Sequence, residues 1–118
     1  MYPPVFSTCN VAAVTTLLGS TPVRLYPFGA APQDVAHPYA VWQVVAGAPE
    51  NTISDTPDID SFIVQMDVYG QTAASVHAVG QALRDAIEPY AHIVSWRGET
   101  KEADKYRFSF DTNWWVHR

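Results

Sequence analysis

The clearest pattern in the chain is an alternation. From Ile59 to Tyr69, Phe62, Val64, Met66 and Val68 are interleaved with Ile63, Gln65, Asp67 and Tyr69, the period of a strand with two different faces. Lys105 to His117 repeats it, with Tyr106, Phe108, Phe110, Thr112, Trp114 and Val116 set against Arg107, Ser109, Asp111, Asn113, Trp115 and His117. Tyr39 to Ala46 is a third such stretch, and Val23–Tyr26 and His92–Arg97 read as shorter strands. Two segments have helical spacing instead. Ser7 to Leu18 carries Val11, Val14, Leu17 and Leu18, with Ser7 or Thr8 as a cap and Gly19 as the stop. Thr72 to Glu88 presents Val76, Val79, Leu83, Ala86 and Ile87 on one side, with Thr72 as N-cap and Pro89 as terminator. Gly80, unfavourable within a helix, suggests close approach to a sheet.

The resulting order is α-β-β-β-α-β-β. Short links favour antiparallel neighbours, so the expected fold is α+β: a mostly antiparallel five-stranded sheet with two helices packed on one face. The covered face collects Trp42, Val44, Phe62, Val64, Met66, Val68, Phe108, Phe110 and Trp114. The other face shows Tyr39, Val41, Val45, Ile63, Tyr69 and Trp115, mixed with Gln43, Gln65, Asp67, Arg107, Asp111 and Asn113. Large apolar side chains among hydrogen-bonding groups are typical of an interface, which makes the first set the candidate subunit contact. Gly47 to Asp58 is a polar loop carrying Glu50, Asp55 and Asp58, longer than a plain connection requires.

Composition narrows the function. A chain of 118 residues, 47% of them apolar, is expected to form one domain over residues 1–118. The single cysteine, Cys9, excludes an internal disulfide and reads as a small buried hydrophobe. The start Met-Tyr-Pro-Pro-Val-Phe has no secretory pattern, and no apolar run is long enough to span a bilayer, so no membrane partner is expected. The net charge is −5 and the basic residues are scattered, unlike the basic face of a nucleic-acid binder.

Candidate chemistry is sparse. His37, His77, His92 and His117 form no metal-ligand pair, and Asp55, Asp58 and Asp60 lack the Gly and distal Glu of a calcium loop. No nucleophile elbow or phosphate loop occurs, and no cofactor is expected. Asp34 with His37, or the Asp55–Asp60 cluster, would be the groups of a hydrolase if one were assembled in space. A small ligand-binding or regulatory domain is the other alternative.

Nearly the whole chain resembles the tail-completion proteins of long-tailed phages, the tail terminators or tail-to-head joining proteins. The resemblance rests on an ordered series: a short helix, Val23-Arg24-Leu25-Tyr26-Pro27, then Pro38-Tyr39-Ala40-Val41-Trp42-Gln43, a polar loop, Val64-Gln65-Met66-Asp67-Val68-Tyr69-Gly70, and the amphipathic helix after Thr72. It implies a non-enzymatic virion protein of the head-proximal tail end, assembled in the host cytoplasm. Its partners would be copies of itself in a six-membered ring, the tail-tube protein and a head-connector or neck protein, with DNA passing nearby unbound. On that resemblance Glu50, Asp55 and Asp58 would line the lumen or dock a neighbour.

Overall fold

The computed structural model describes residues 2–118. Its elements are α1 (Val5–Cys9), α2 (Ala12–Leu18), β1 (Leu25–Pro27), β2 (Tyr39–Pro49), β3 (Ile59–Gly70), α3 (Ala73–Ile87), β4 (His92–Glu102) and β5 (Lys105–His117). The five strands make one sheet in the order β1-β2-β3-β5-β4. Every pairing is antiparallel except the short β1–β2 contact. The expected α+β architecture is therefore present, with one change at its start.

The helix expected over Ser7–Leu18 is two short ones, and neither Ser7 nor Thr8 caps a helix. The core explains the break. Val5, Cys9, Val14 and Leu18 are all buried. In one continuous helix Cys9 and Val14 would point about 140° apart. Val11 instead takes an extended conformation (φ −125°, ψ 160°), which resets the phase and turns both pairs inward. Val11 itself is left exposed.

α3 follows its sequence pattern. The Thr72 side chain accepts from the Ser75 N–H at 3.1 Å, and Val76, Val79, Gly80, Leu83 and Ile87 are buried. Gly80 lies against Phe108; a Cβ there would sit 2.6 Å from two carbons of that ring. Beneath the helices the core runs through Phe62, Val64, Met66, Val68, Phe110 and Trp114, with Trp42, Val44 and Phe108 half-buried at its margins. Trp114 Nε1 donates to Thr112, whose hydroxyl donates to the Val64 carbonyl, whereas the buried Trp42 Nε1 has no partner among the described residues.

Two strands outrun their expected ends. β2 continues to Pro49, which shortens the polar loop to residues 50–58, and β4 continues to Glu102 instead of stopping at Arg97. The turn after β4 is Ala103-Asp104, with Ala103 at φ 52°, the left-handed conformation that tight hairpins require. The charged stretch Gly98–Glu102 pairs with β5 because its partners, Phe108 and Tyr106 among them, supply cross-strand contacts. Lys101 lies over the Tyr106 ring at 5.4 Å. The two hairpins project beyond the helices at opposite ends of the sheet. The molecule accordingly measures 53 × 28 × 25 Å with a radius of gyration of 15.1 Å, above the roughly 13–14 Å of a rounder chain this long.

Candidate functional site

Residues paired across neighbouring strands share a face, so the register defines the uncovered side of the sheet row by row. At one end Tyr39 pairs with Tyr69 and Tyr69 with Arg107. The two tyrosine rings stack at 5.0 Å with an interplanar angle of 18°. Burial raises the pKa of both phenols; at Tyr69 the neighbouring Asp67 carboxylate pushes the same way, while Arg107 opposes. The rings stay neutral over the whole ordinary pH range and act as stacked, amphipathic plates. Val41 lies in the next row, paired with Asp67.

The middle of this face is polar and unexpectedly dry. Asp67 and Asp111 are each 8% exposed and Ser109 is 4% exposed, although no helix covers them. Other side chains lie across them. The Gln65 amide reaches both Asp67 oxygens at 3.1 Å, and the Ser109 hydroxyl donates to the same carboxylate. Asp111 accepts from Ser95 at 3.1 Å and from Arg97 Nε at 2.9 Å. Arg97 and Arg107 line a shallow cavity of about 350 Å³ above this network, together with Gln65, Gly98, Thr100 and Ser109. Arg97 pairs with Asp111, and Arg107 stands at the cavity wall beside Tyr69, so two carboxylates and two guanidiniums share the band and it carries little net charge. Asp67 is held by neutral donors and Asp111 by Arg97 and Ser95 through Oδ2, which offsets the cost of burying them, while Asp111 Oδ1 is buried without a partner among the described residues.

The far end is apolar again. Ile63 is half-buried, Trp115 is 43% exposed, and the Trp115 indole meets His92 edge-on at 4.9 Å. A bulge falls between Val44 and Ala46, leaving Val45 exposed and bringing Ala46 opposite Ile63. The bulge shifts Ala46 away from the core side that strict alternation from Trp42 and Val44 assigns to it. The candidate contact set therefore divides: Tyr39, Val41 and Tyr69 at one end, Val45, Ile63 and Trp115 at the other, with the polar band between them.

Glu50, Asp55 and Asp58 are exposed on the loop joining β2 to β3. The loop is locally braced: the Thr52 hydroxyl donates to the Asp55 carbonyl and accepts from the Asp55 N–H, and the Arg118 N–H bonds the Asp58 carbonyl at 2.9 Å. Asp60, at its foot, is taken by the Arg118 guanidinium at 3.0 Å. Among the described residues Glu50, Asp55 and Asp58 form no ion pair. At the tip Ile53 is fully exposed, a feature that its polar sequence context concealed.

Beyond Tyr2 and Phe6 near the N-terminus, three more exposed aromatic groups lie outside the assigned face. Trp96 on β4 is 48% exposed while stacked on Phe108 and tilted against Phe110, Phe28 is 69% exposed beside β2, and Tyr90 is 71% exposed after α3. The bulges in β4, between Ile93 and Ser95 and between Trp96 and Gly98, break the alternation that would have placed Trp96. An apolar cleft of about 700 Å³ opens at the base of the β2–β3 hairpin, lined by Tyr2, Gly47, Ala48, Pro49, Phe62 and His117 among others. Among the described residues no cluster of His, Cys, Asp or Glu is arranged to hold a metal ion, and no helix is long and apolar enough to cross a membrane. Asp34 adopts φ 61° in its loop, and His37 packs edge-on against Tyr39 at 5.3 Å. No ion pair or hydrogen bond joins Asp34 to His37 among the described residues.

Comparison with known proteins supplies what geometry alone cannot. No curated protein sequence matches the chain. Among solved structures, a chain of the "Virion of native gene transfer agent (GTA) particle" superposes with a TM-score of 0.67 at 14% identity, covering 97% of this chain and 92% of the other; at that identity the likeness is one of fold. The family model described as "Tail completion protein gp17" matches residues 6–117, from α1 to the end of β5. On that match, the chain belongs to the gp17 tail completion protein family and is a structural component of the phage tail.

Proposed function

We propose that the protein is the subunit of a six-membered ring that caps the head-proximal end of the tail tube, ends tube growth and offers the head connector a surface to dock on. The observation that carries this reading is the family match over almost the whole chain, joined to a surface that displays Tyr90, Trp96, Trp115, Phe28 and Ile53 to solvent. Apolar groups exposed singly occur on any domain, but large aromatic ones are the residues that carry most of the energy of subunit contacts. A closed ring requires one patch to meet a different patch on the next copy, and an elongated sheet with unlike ends suits that demand.

The β2–β3 hairpin with Glu50, Asp55 and Asp58 is the element that reaches the lumen or a neighbouring ring. In the lumen its carboxylates would repel passing DNA, the neighbouring Arg118 being held by Asp60. Deletion of the gene tests the role: overlong or headless tails are expected, and normal virions contradict it. Replacing both Asp55 and Asp58 with Lys tests the lumen assignment; slowed DNA ejection is expected, and unchanged ejection removes the loop from the channel.

A second reading, a ligand-binding or regulatory domain, draws on the cleft beside Phe62 and Pro49. It predicts a monomer or dimer that co-purifies with a small apolar molecule. A different position in the head–tail neck is a third, and cross-linking to tube or connector protein separates it from the first.

A further inference from the structure

The sheet ends in two bare edges of matching character. On one side β1 covers β2 only from Ala40 to Trp42, and the Phe28 N–H takes the Trp42 carbonyl. Beyond that point, among the described residues, no backbone hydrogen bond reaches the outer edge of Gln43–Ala48. On the other side β4 is the last strand. Uncovered strands invite pairing with another chain, and charge is a common guard against it. β4 is guarded from Arg97 onward by Arg97, Glu99, Lys101 and Glu102, but His92-Ile93-Val94-Ser95-Trp96 carries no carboxylate, Lys or Arg. Gln43–Ala48 is likewise uncharged, and Pro49 closes it.

We propose that adjacent subunits join edge to edge, His92–Trp96 of one copy pairing antiparallel with Gln43–Ala48 of the next. The proposal rests on the ring reading and specifies its contact. Strand direction agrees: β2, β3, β5 and β4 alternate in sense, so β4 and β2 run oppositely, and rotation about a ring axis preserves that relation. The side chains agree as well. Trp96 lies on the helix-covered side, paired with Phe110, and shows almost half its surface to solvent. Beside the β2 edge, on the same side, an uncharged notch of about 380 Å³ is lined by Tyr2, Pro27, Phe28, Trp42, Gln43 and Val44.

Each segment carries one bulge, at Val45 and at Val94; placing Trp96 opposite Val44 sets the two bulges against each other, brings Val94 opposite Ala46 and seats the indole in that notch. Gly98, with φ 85° and open space around it, then turns the charged remainder of β4 away from Phe28 and β1. Large aromatic side chains bury roughly 150–250 Å² each, and the share still open is 48% at Trp96 and 69% at Phe28. Trp96 and Phe28, with the paired backbones and Val45 and Val94, therefore bring the contact toward the approximately 1,200 Å² at which stable interfaces begin. One β4 edge and one β2 edge remain at the ends of any open chain of subunits, and closing the ring removes both.

Disulfide trapping tests the contact. In a Cys9→Ala background, Val94→Cys and Ala46→Cys are placed in one chain, mixed with tube protein and oxidised. A ladder of covalent multimers ending at the ring is expected, each single variant alone remaining monomeric on a denaturing gel and the two mixed giving dimers. In a separate variant, Val94→Lys, whose site is exposed, should keep the circular dichroism of the parent and raise the concentration for half-assembly at least tenfold. Rings that form by native mass without the 46–94 cross-link, or undisturbed by Val94→Lys, overturn the edge contact while leaving the ring. A parent chain that stays monomeric even with tube protein overturns both.

Discussion

At the residue scale, the most informative side chains are two aspartates on a face that no helix protects. Asp67 and Asp111 are buried by their own hydrogen-bond partners, so their worth is a matter of satisfaction more than area. Asp67→Ala strands the buried Ser109 hydroxyl and the Gln65 amide, and should lower unfolding free energy by about 1–3 kcal/mol in urea titrations. Gln65→Ala, which leaves Ser109 paired, should cost less. Cys9 is the other case. It is fully buried, and burial pushes its thiol pKa up from 9.0 to about 12. Ionisation then occurs first in the unfolded chain, so stability from this group is complete below pH 9 and falls as pH rises towards 12. The slope is about 1.4 kcal/mol per pH unit. Comparing the chain with Cys9→Ala from pH 8 to 11 should show this loss in the parent alone. The raised Tyr39 and Tyr69 phenols act in the same sense in both proteins and cancel.

At the element scale, α3 shows how local and tertiary demands divide. Gly80→Ala should improve helix propensity by about 1 kcal/mol. The added methyl, however, meets a Phe108 ring that is already held between Trp96, Phe110 and His77 at 5.7–6.0 Å. Overpacking of that kind costs about 1–3 kcal/mol, so the net effect is a loss, seen as a lower Tm. Thr72→Ala, which removes the cap of the same helix, should cost about 1 kcal/mol. This element was legible in advance because cap, stripe and Gly80 all point to one packing. The β3 and β5 faces were legible for the same reason, since both strands keep strict alternation across an unbroken register. The failures lie where a single residue resets the phase. Val11 does so between the first two helices, Val45 in β2, and the β4 bulges hide Trp96. None has a sequence signature, because each is imposed by what the next element must bury.

At the scale of the whole molecule, the parts sort by height along an elongated sheet. A stacked tyrosine pair occupies one end of the uncovered face, a self-neutralising polar band its middle, and Ile63 and Trp115 the other end. The acidic β2–β3 loop projects beyond that second end with Ile53 at its tip. Of this arrangement, the residue sets of the face were readable from alternation, but the dry polar band that splits it into two apolar ends was not, because it depends on Gln65 folding over Asp67 and Arg97 over Asp111. The free edges were beyond sequence reasoning for a similar reason: strand order is decided by long-range pairing, and only that order exposes β4 and the distal half of β2. Exposed aromatic groups at several points around one small chain suit contacts with partners, and copies of the chain are the partners proposed above. Native mass spectrometry of the purified chain, alone and mixed with tail-tube protein, tests this most directly. The account predicts a closed six-subunit species, formed by the chain itself or on the tube protein; a chain that remains a monomer at every concentration in both samples contradicts it.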